Sequence, residues 1–112
     1  MRILVLEDNQ IRIQYFIRKW NAYDLHLTCN AFDAISLLKE NTFNLIFLDN
    51  DLGEGNGSGV HVARFLYEHK NNKNNNTRIV VHSWNMPAVT VIRKLLPRAL
   101  CFPYGVNDFF KI

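Results

Sequence analysis

The chain ends an apolar run in acids: Leu45-Ile46-Phe47-Leu48 leads directly into Asp49, and Asp51 follows two residues later. A second apolar run, Ile3-Leu4-Val5-Leu6, ends in Glu7-Asp8, and a third, Ile79-Val80-Val81, ends in His82-Ser83. Carboxylates held close together raise one another's pKa unless a cation relieves them. Hard oxygen donors of this kind suit Mg²⁺, which uses one or two carboxylates and keeps several waters. Glu7, Asp8 and Asp49 are the candidate ligands. The Asp49–Asp51 pair also has the spacing of a nucleophile and acid in some phosphoryl-transfer sites. His82 can serve as general acid or base near neutral pH. Ser83, Asn85 and the backbone around Gly53 can hold phosphate oxygens, aided by the helix N-terminus that follows Asn85. Each residue also has a plain structural use. The acids can cap helices, His82 can lie neutral against the sheet, and Ser83 and Asn85 can simply cap.

These residues reach one place only if the apolar runs are neighbouring strands. A continuous apolar run is what a strand buried on both faces needs. In an open α/β sheet, ligands bind beyond the carboxyl ends of such strands. Arg2 to Leu6, Tyr23 to Thr28, Phe43 to Leu48, Arg78 to His82 and Ala99 to Phe102 read as five strands. Helices are expected between them. Asn9 caps one with Ile13, Phe16, Ile17 and Trp20 inward, and Asn30 caps one with Ala31, Ala34, Ile35 and Leu38 on one side. Val60 to His69 forms a third, with Ala63, Leu66 and Tyr67 facing in. Asn85 caps a fourth, with Pro87 in its first turn and Ile92, Leu95 and Leu96 buried. The alternation predicts one α/β domain over residues 1–112, a doubly wound five-stranded parallel sheet of flavodoxin-like topology. The tail from Asn107 holds at most a short last helix. Such a tail would leave an apolar sheet flank that favours a homodimer, unless Phe109 and Phe110 cover it.

Two loops stand out. Gly53 to Gly59 carries four glycines and can cradle an anion, but it lacks the Lys-Ser/Thr of a P-loop. Asn71 to Asn76 is a polar, low-complexity run with no evident reason to order itself. His26, His61 and His69 have no ligand-type spacing. Trp84 either stacks on a base or packs over the end of the sheet.

Bulk properties narrow the classes. The 112 residues are 48% hydrophobic and 21% charged, which excludes a disordered chain. A net charge of +3, with scattered Lys and Arg, gives no nucleic-acid-binding block. Cys29 and Cys101 have no metal spacing and read as free thiols in a reducing cytosol. No run is long enough to span a membrane, and the start carries no signal peptide. The abundance of Asn, Lys and Ile hints at an AT-rich phage or bacterial genome.

The order of strands and acids resembles a response-regulator receiver domain over essentially the whole chain. Glu7-Asp8 match its acidic pair, Asp49 its phosphoacceptor and Ser83 its hydroxyl residue. The receiver lysine that precedes a proline after strand five is here Phe102, before Pro103. A narrower resemblance is to the cyclic-phosphate processing receiver-like family, whose members read L-D-H-D-L-G and V-H-S-x-N. Here the motifs are Leu48-Asp49-Asn50-Asp51-Leu52-Gly53 and Val81-His82-Ser83-Trp84-Asn85, with Asn50 in place of the histidine. This resemblance implies hydrolysis of nucleotide or RNA-end cyclic phosphates, with Asp49, Asp51 and His82 catalytic. Ser83, Asn85 and Gly53 would hold phosphate, and Mg²⁺ would sit at Asp8, Asp49 and Glu7. A non-catalytic binder of the same ligands, and a degenerate receiver used as an interaction module, stay open.

Overall fold

The computed structural model describes residues 1–69 and 71–112. Strands β1 (Arg2–Leu6), β2 (Asp24–Thr28), β3 (Leu45–Leu48), β4 (Arg78–Val81) and β5 (Leu100–Cys101) alternate with helices α1 (Gln10–Trp20), α2 (Ala31–Glu40), α3 (Gly59–Glu68) and α4 (Met86–Leu95). A 3-10 turn, Phe109–Lys111, closes the chain. The sheet is wholly parallel, in the order β2-β1-β3-β4-β5. This is the doubly wound receiver topology expected from the sequence.

Period-two alternation along buried strands divides the core into two layers. Leu4, Leu6, Ile46, Leu48, Ile79 and Val81 face α2, α3 and α4. Ile3, Val5, Leu45, Phe47 and Val80 face the other way, onto Phe16 and Trp20 of α1 and onto Phe109. Phe109 is 1% exposed and its ring contacts those of Phe16 and Phe47, so the tail covers this flank with an aromatic plug. Fully burying a side chain of this size contributes roughly 1.5–3 kcal/mol.

The helix starts follow the expected chemistry. Asn9, Asn30 and Asn85 each accept a backbone N–H of the first turn through the side-chain oxygen. The third helix is different. Ser58 makes no cap bond, and Asn50 Oδ1 instead accepts the Val60 N–H at 3.2 Å. The inward face of that helix carries Val62, Ala63, Phe65 and Leu66, while Tyr67 is exposed, contrary to the sequence expectation.

The asparagine run is also ordered where disorder was expected. Asn74 is fully buried and bonds in both directions. Its Oδ1 accepts the Phe43 N–H at 2.7 Å and the Thr77 hydroxyl at 3.1 Å, and its Nδ2 donates to the Leu38 and Asn41 carbonyls. One amide side chain thus satisfies the end of α2 and the entry to β3, groups that would otherwise be buried without partners.

Candidate functional site

Strand register builds the site. Leu6 pairs with Leu48, and Leu48 with Val81. The next residues, Glu7, Asp49 and His82, therefore stand side by side, one rung past the sheet. The ladder continues into them: the Asp49 N–H donates to the Leu6 carbonyl and the His82 N–H to the Leu48 carbonyl. Because Leu6, Leu48 and Val81 face α2 to α4, the next position on each strand turns toward α1. Strand order reverses between β2-β1 and β3, so Glu7 and Asp49 lie at the topological switch point, where open α/β sheets bind ligands.

One potential ligand atom from each of Glu7, Asp49 and His82 lies within 4.8 Å of the others. Glu7 is the hub. Its Oε1 receives His82 Nε2 at 2.9 Å and Arg12 Nε at 2.8 Å. Its Oε2 receives the backbone N–H of Asp8 at 3.0 Å and of Asn9 at 3.1 Å, with Arg12 Nη2 at 3.4 Å. Burial pushes the Glu7 carboxyl up, but the His82 bond, the Asn9 N–H and Arg12 outweigh it and hold the group down at about 2. An ionised carboxylate only accepts hydrogen bonds, so His82 Nε2 carries the shared proton.

Burial lowers the His82 pKa, and its bond to Glu7 only partly offsets this. The ring packs against those of Phe16, Phe47 and Phe109, and its Nδ1 is buried without a hydrogen-bond partner among the described residues. His82 is 2% exposed, and Glu7 is its hydrogen-bond partner.

Asp49 is held by fewer bonds than Glu7. Its Oδ1 accepts the Asn50 N–H at 2.9 Å, whereas Oδ2 is buried without a hydrogen-bond partner among the described residues. Burial and the neighbouring Glu7 charge push its carboxyl up to about 7. A cation approaches it, since Arg12 Nη2 lies 3.7 Å from Oδ2.

The other expected residues form a ring around this centre. Asp8 is exposed, and burial together with the Glu7 charge raises its pKa. Asp51 is exposed and accepts from Asn85 Nδ2 at 3.1 Å and from Asn50 Nδ2 at 3.2 Å. This bridge ties the loop after β3 to the loop after β4. Ser83 is buried, and its Oγ accepts the Asn85 N–H at 3.0 Å. Gly53 follows buried Leu52 with φ +84°, a conformation that L side chains rarely adopt. The glycine loop folds back on α2, where the Ala31 N–H donates to the Asn56 carbonyl. A Cβ on Gly59 would overlap the Asp49 carbonyl, so only glycine lets the third helix start this close to the site. Beside Glu7 and Asp8 a cleft of about 350 Å³ opens, walled by Ile13, Leu27, Leu52 and Asn56. Trp84 is 60% exposed and its indole N–H donates to the Tyr104 carbonyl. His26, His61 and His69 lie outside the cluster.

Arg12 is the site residue that motif spacing does not reveal. Its signal is electrostatic. A cation in the first turn of a helix opposes the macrodipole, and this first turn holds no acid. An arginine placed there calls for a carboxylate partner, and Glu7 is it.

Solved structures share the fold. A receiver domain from Methanospirillum hungatei superposes with a TM-score of 0.74 at 16% identity, covering 98% of this chain and 87% of that one. The signal receiver domain of a Luxo repressor protein from Vibrio parahaemolyticus gives 0.76 at 18% identity, covering 98% and 83%. A response regulator from Burkholderia pseudomallei, solved with a phosphorylated aspartic acid, a calcium ion and citrate, gives 0.72 at 22% identity, covering 97% of this chain and 64% of that one. No curated protein matches the sequence. Among the described residues no helix is long and apolar enough to cross a membrane. The pattern of the cyclic-phosphate processing receiver domain matches residues 2–98, and the chain belongs to that family.

Proposed function

We propose that this protein opens nucleotide or RNA-end cyclic phosphates by hydrolysis, with Asp49 as the proton donor. The observation that carries this reading is the Asp49 carboxyl, whose Oδ2 has no hydrogen-bond partner among the described residues and whose pKa is pushed up to about 7. A group poised near the working pH is the efficient general acid or base. The family's description, cyclic-phosphate processing, supports a phosphate-containing substrate.

In the proposed reaction, a water oxygen attacks phosphorus and the bond from phosphorus to one ribose oxygen breaks. Asp49 gives its proton to the departing oxygen. Asp51, exposed and fixed by Asn85 and Asn50, takes the proton of the attacking water. The product is a phosphomonoester, and solvent exchange returns the proton to Asp49. His82 acts as a positioning residue: it fixes Glu7, whose charge keeps Asp49 protonated. The Asn85 side chain and the backbone around Ser83 and Gly53 border the phosphate. The cleft beside Glu7 and Asp8 takes the nucleoside.

The Mg²⁺ expected at Glu7, Asp8 and Asp49 meets a donor set that does not fit it as it stands. Both oxygens of Glu7 are already committed to nitrogen donors. That leaves Asp49 Oδ2 and the exposed Asp8, and no step in this proposal runs through a metal.

A second reading, binding without turnover, has its own support in Asn50. This residue stands where the family motif has histidine. It is 8% exposed and its amide is committed to Val60 and Asp51, so it supplies no acid or base.

A panel of 2′,3′- and 3′,5′-cyclic nucleotides, followed by phosphorus NMR, separates the readings. A new phosphomonoester signal that disappears in Asp49→Asn supports hydrolysis. Shifted ligand signals without product support the binder. Spectra unchanged throughout refute both.

A further inference from the structure

Glu7 and Asp49 are 1% and 5% exposed and share one small space. The guanidinium of Arg12 enters that space from α1. Nε and Nη2 grip Glu7 at 2.8 and 3.4 Å, and Nη2 also faces Asp49 Oδ2 at 3.7 Å. The stem is fixed as well: Arg12 is a first-turn residue of α1 whose own N–H donates to the Asn9 cap, and its guanidinium lies 5.8 Å from the centre of the Tyr104 ring.

We propose that Arg12 is the built-in cation of this site, standing where a divalent ion would bridge Glu7 and Asp49 and offering its outer edge to a phosphate group. The geometry supports both halves. A guanidinium forks onto a carboxylate and keeps further N–H groups in the same plane. Arg12 is partly exposed, and its Nη1 has no hydrogen-bond partner among the described residues. The same guanidinium that faces Asp49 thus keeps a free donor, and Asp49 Oδ2 has no hydrogen-bond partner among the described residues. The position of the receiver lysine after strand five holds Phe102, packed into the aromatic layer, so that route supplies no charge. Arginine and a divalent ion then compete for the same two carboxylates.

The proposal rests on the reading of this edge as a phosphate site, but its test uses no nucleotide. Calorimetric titration of MgCl₂ into wild type, Arg12→Ala and Arg12→Lys measures the competition. Mg²⁺ should bind Arg12→Ala at least about tenfold more tightly than wild type, with Arg12→Lys between them. Equal or tighter binding by wild type overturns the proposal. A second arm needs no variant and stays decisive if the substitutions prevent folding. The phosphorus NMR signal of inorganic phosphate is followed with wild type in excess chelator. Broadening in chelator supports Arg12 as the phosphate-holding cation. Broadening that appears only after Mg²⁺ is supplied, or not at all, overturns it. A protein that passes both arms yet turns over no cyclic nucleotide retains Arg12 as its cation and loses only the hydrolytic reading.

Discussion

His82 Nε2 and Glu7 Oε1 meet at 2.9 Å between side chains that are 1% and 0% exposed, so this polar contact of the sheet edge is sealed from solvent. The histidine at this strand end is buried. It spends its proton on Glu7. Truncating one member of a buried, charge-assisted pair leaves the other unsatisfied. His82→Ala should therefore lose about 3 kcal/mol in urea unfolding, with part of that from the aromatic packing it abandons. A loss within the range of a surface substitution would show that the contact is not sealed.

Asp49 makes stability depend on pH in an uncommon direction. Its folded pKa, about 7, lies above the ordinary aspartate value, so the folded state binds the proton more tightly. The contribution is complete below about pH 3.9, the unfolded value, and is lost as pH rises through 7. Between pH 5 and 8 wild type should lose on the order of 2 kcal/mol, and Asp49→Asn should flatten that slope. Denaturant unfolding at both pH values checks it. Glu7 works the other way. Its folded value of about 2 is depressed, so its contribution holds above about pH 4.3 and fails only as pH falls toward 2.

Asn74 should be the sensitive residue of the asparagine run. Removing its amide leaves the Phe43 N–H and two carbonyls without their partner. Asn74→Ala should cost about 2–3 kcal/mol, while exposed Asn76→Ala stays within about 0.5 kcal/mol. Thermal unfolding of the two variants side by side makes the comparison. Equal midpoints would contradict the buried-hub role.

Much of this architecture is legible in the chain. Apolar runs that end in Glu7, Asp49 and His82 announce buried parallel strands, and asparagine caps at positions 9, 30 and 85 mark three helix starts. The convergence of Glu7 with Asp49 follows from those strand ends, because parallel register carries successive ends to one edge. Other features depend on long-range contacts that local pattern does not encode. Asn74 looks like its neighbours in composition but meets α2 and β3 across more than thirty residues of sequence. Tyr67 falls on the helical period of a buried face, yet the inward positions go to Phe65 and Leu66. Arg12 belongs to no motif, and only its unfavourable place on the helix dipole betrays it. Asn50 reads as a lost catalytic group, whereas in the fold it caps the third helix and steadies Asp51.

The central claim is that Asp49 gives up a proton near neutral pH while a cyclic phosphate opens. The most direct test is the rate of 2′,3′-cyclic nucleotide hydrolysis against pH, from 5 to 9, in wild type and Asp49→Asn. The account predicts turnover that is high on the acidic side, falls through an inflection about pH 7, and drops at least about a hundredfold in the variant. Turnover that ignores pH across this range, or that survives in Asp49→Asn, would contradict it.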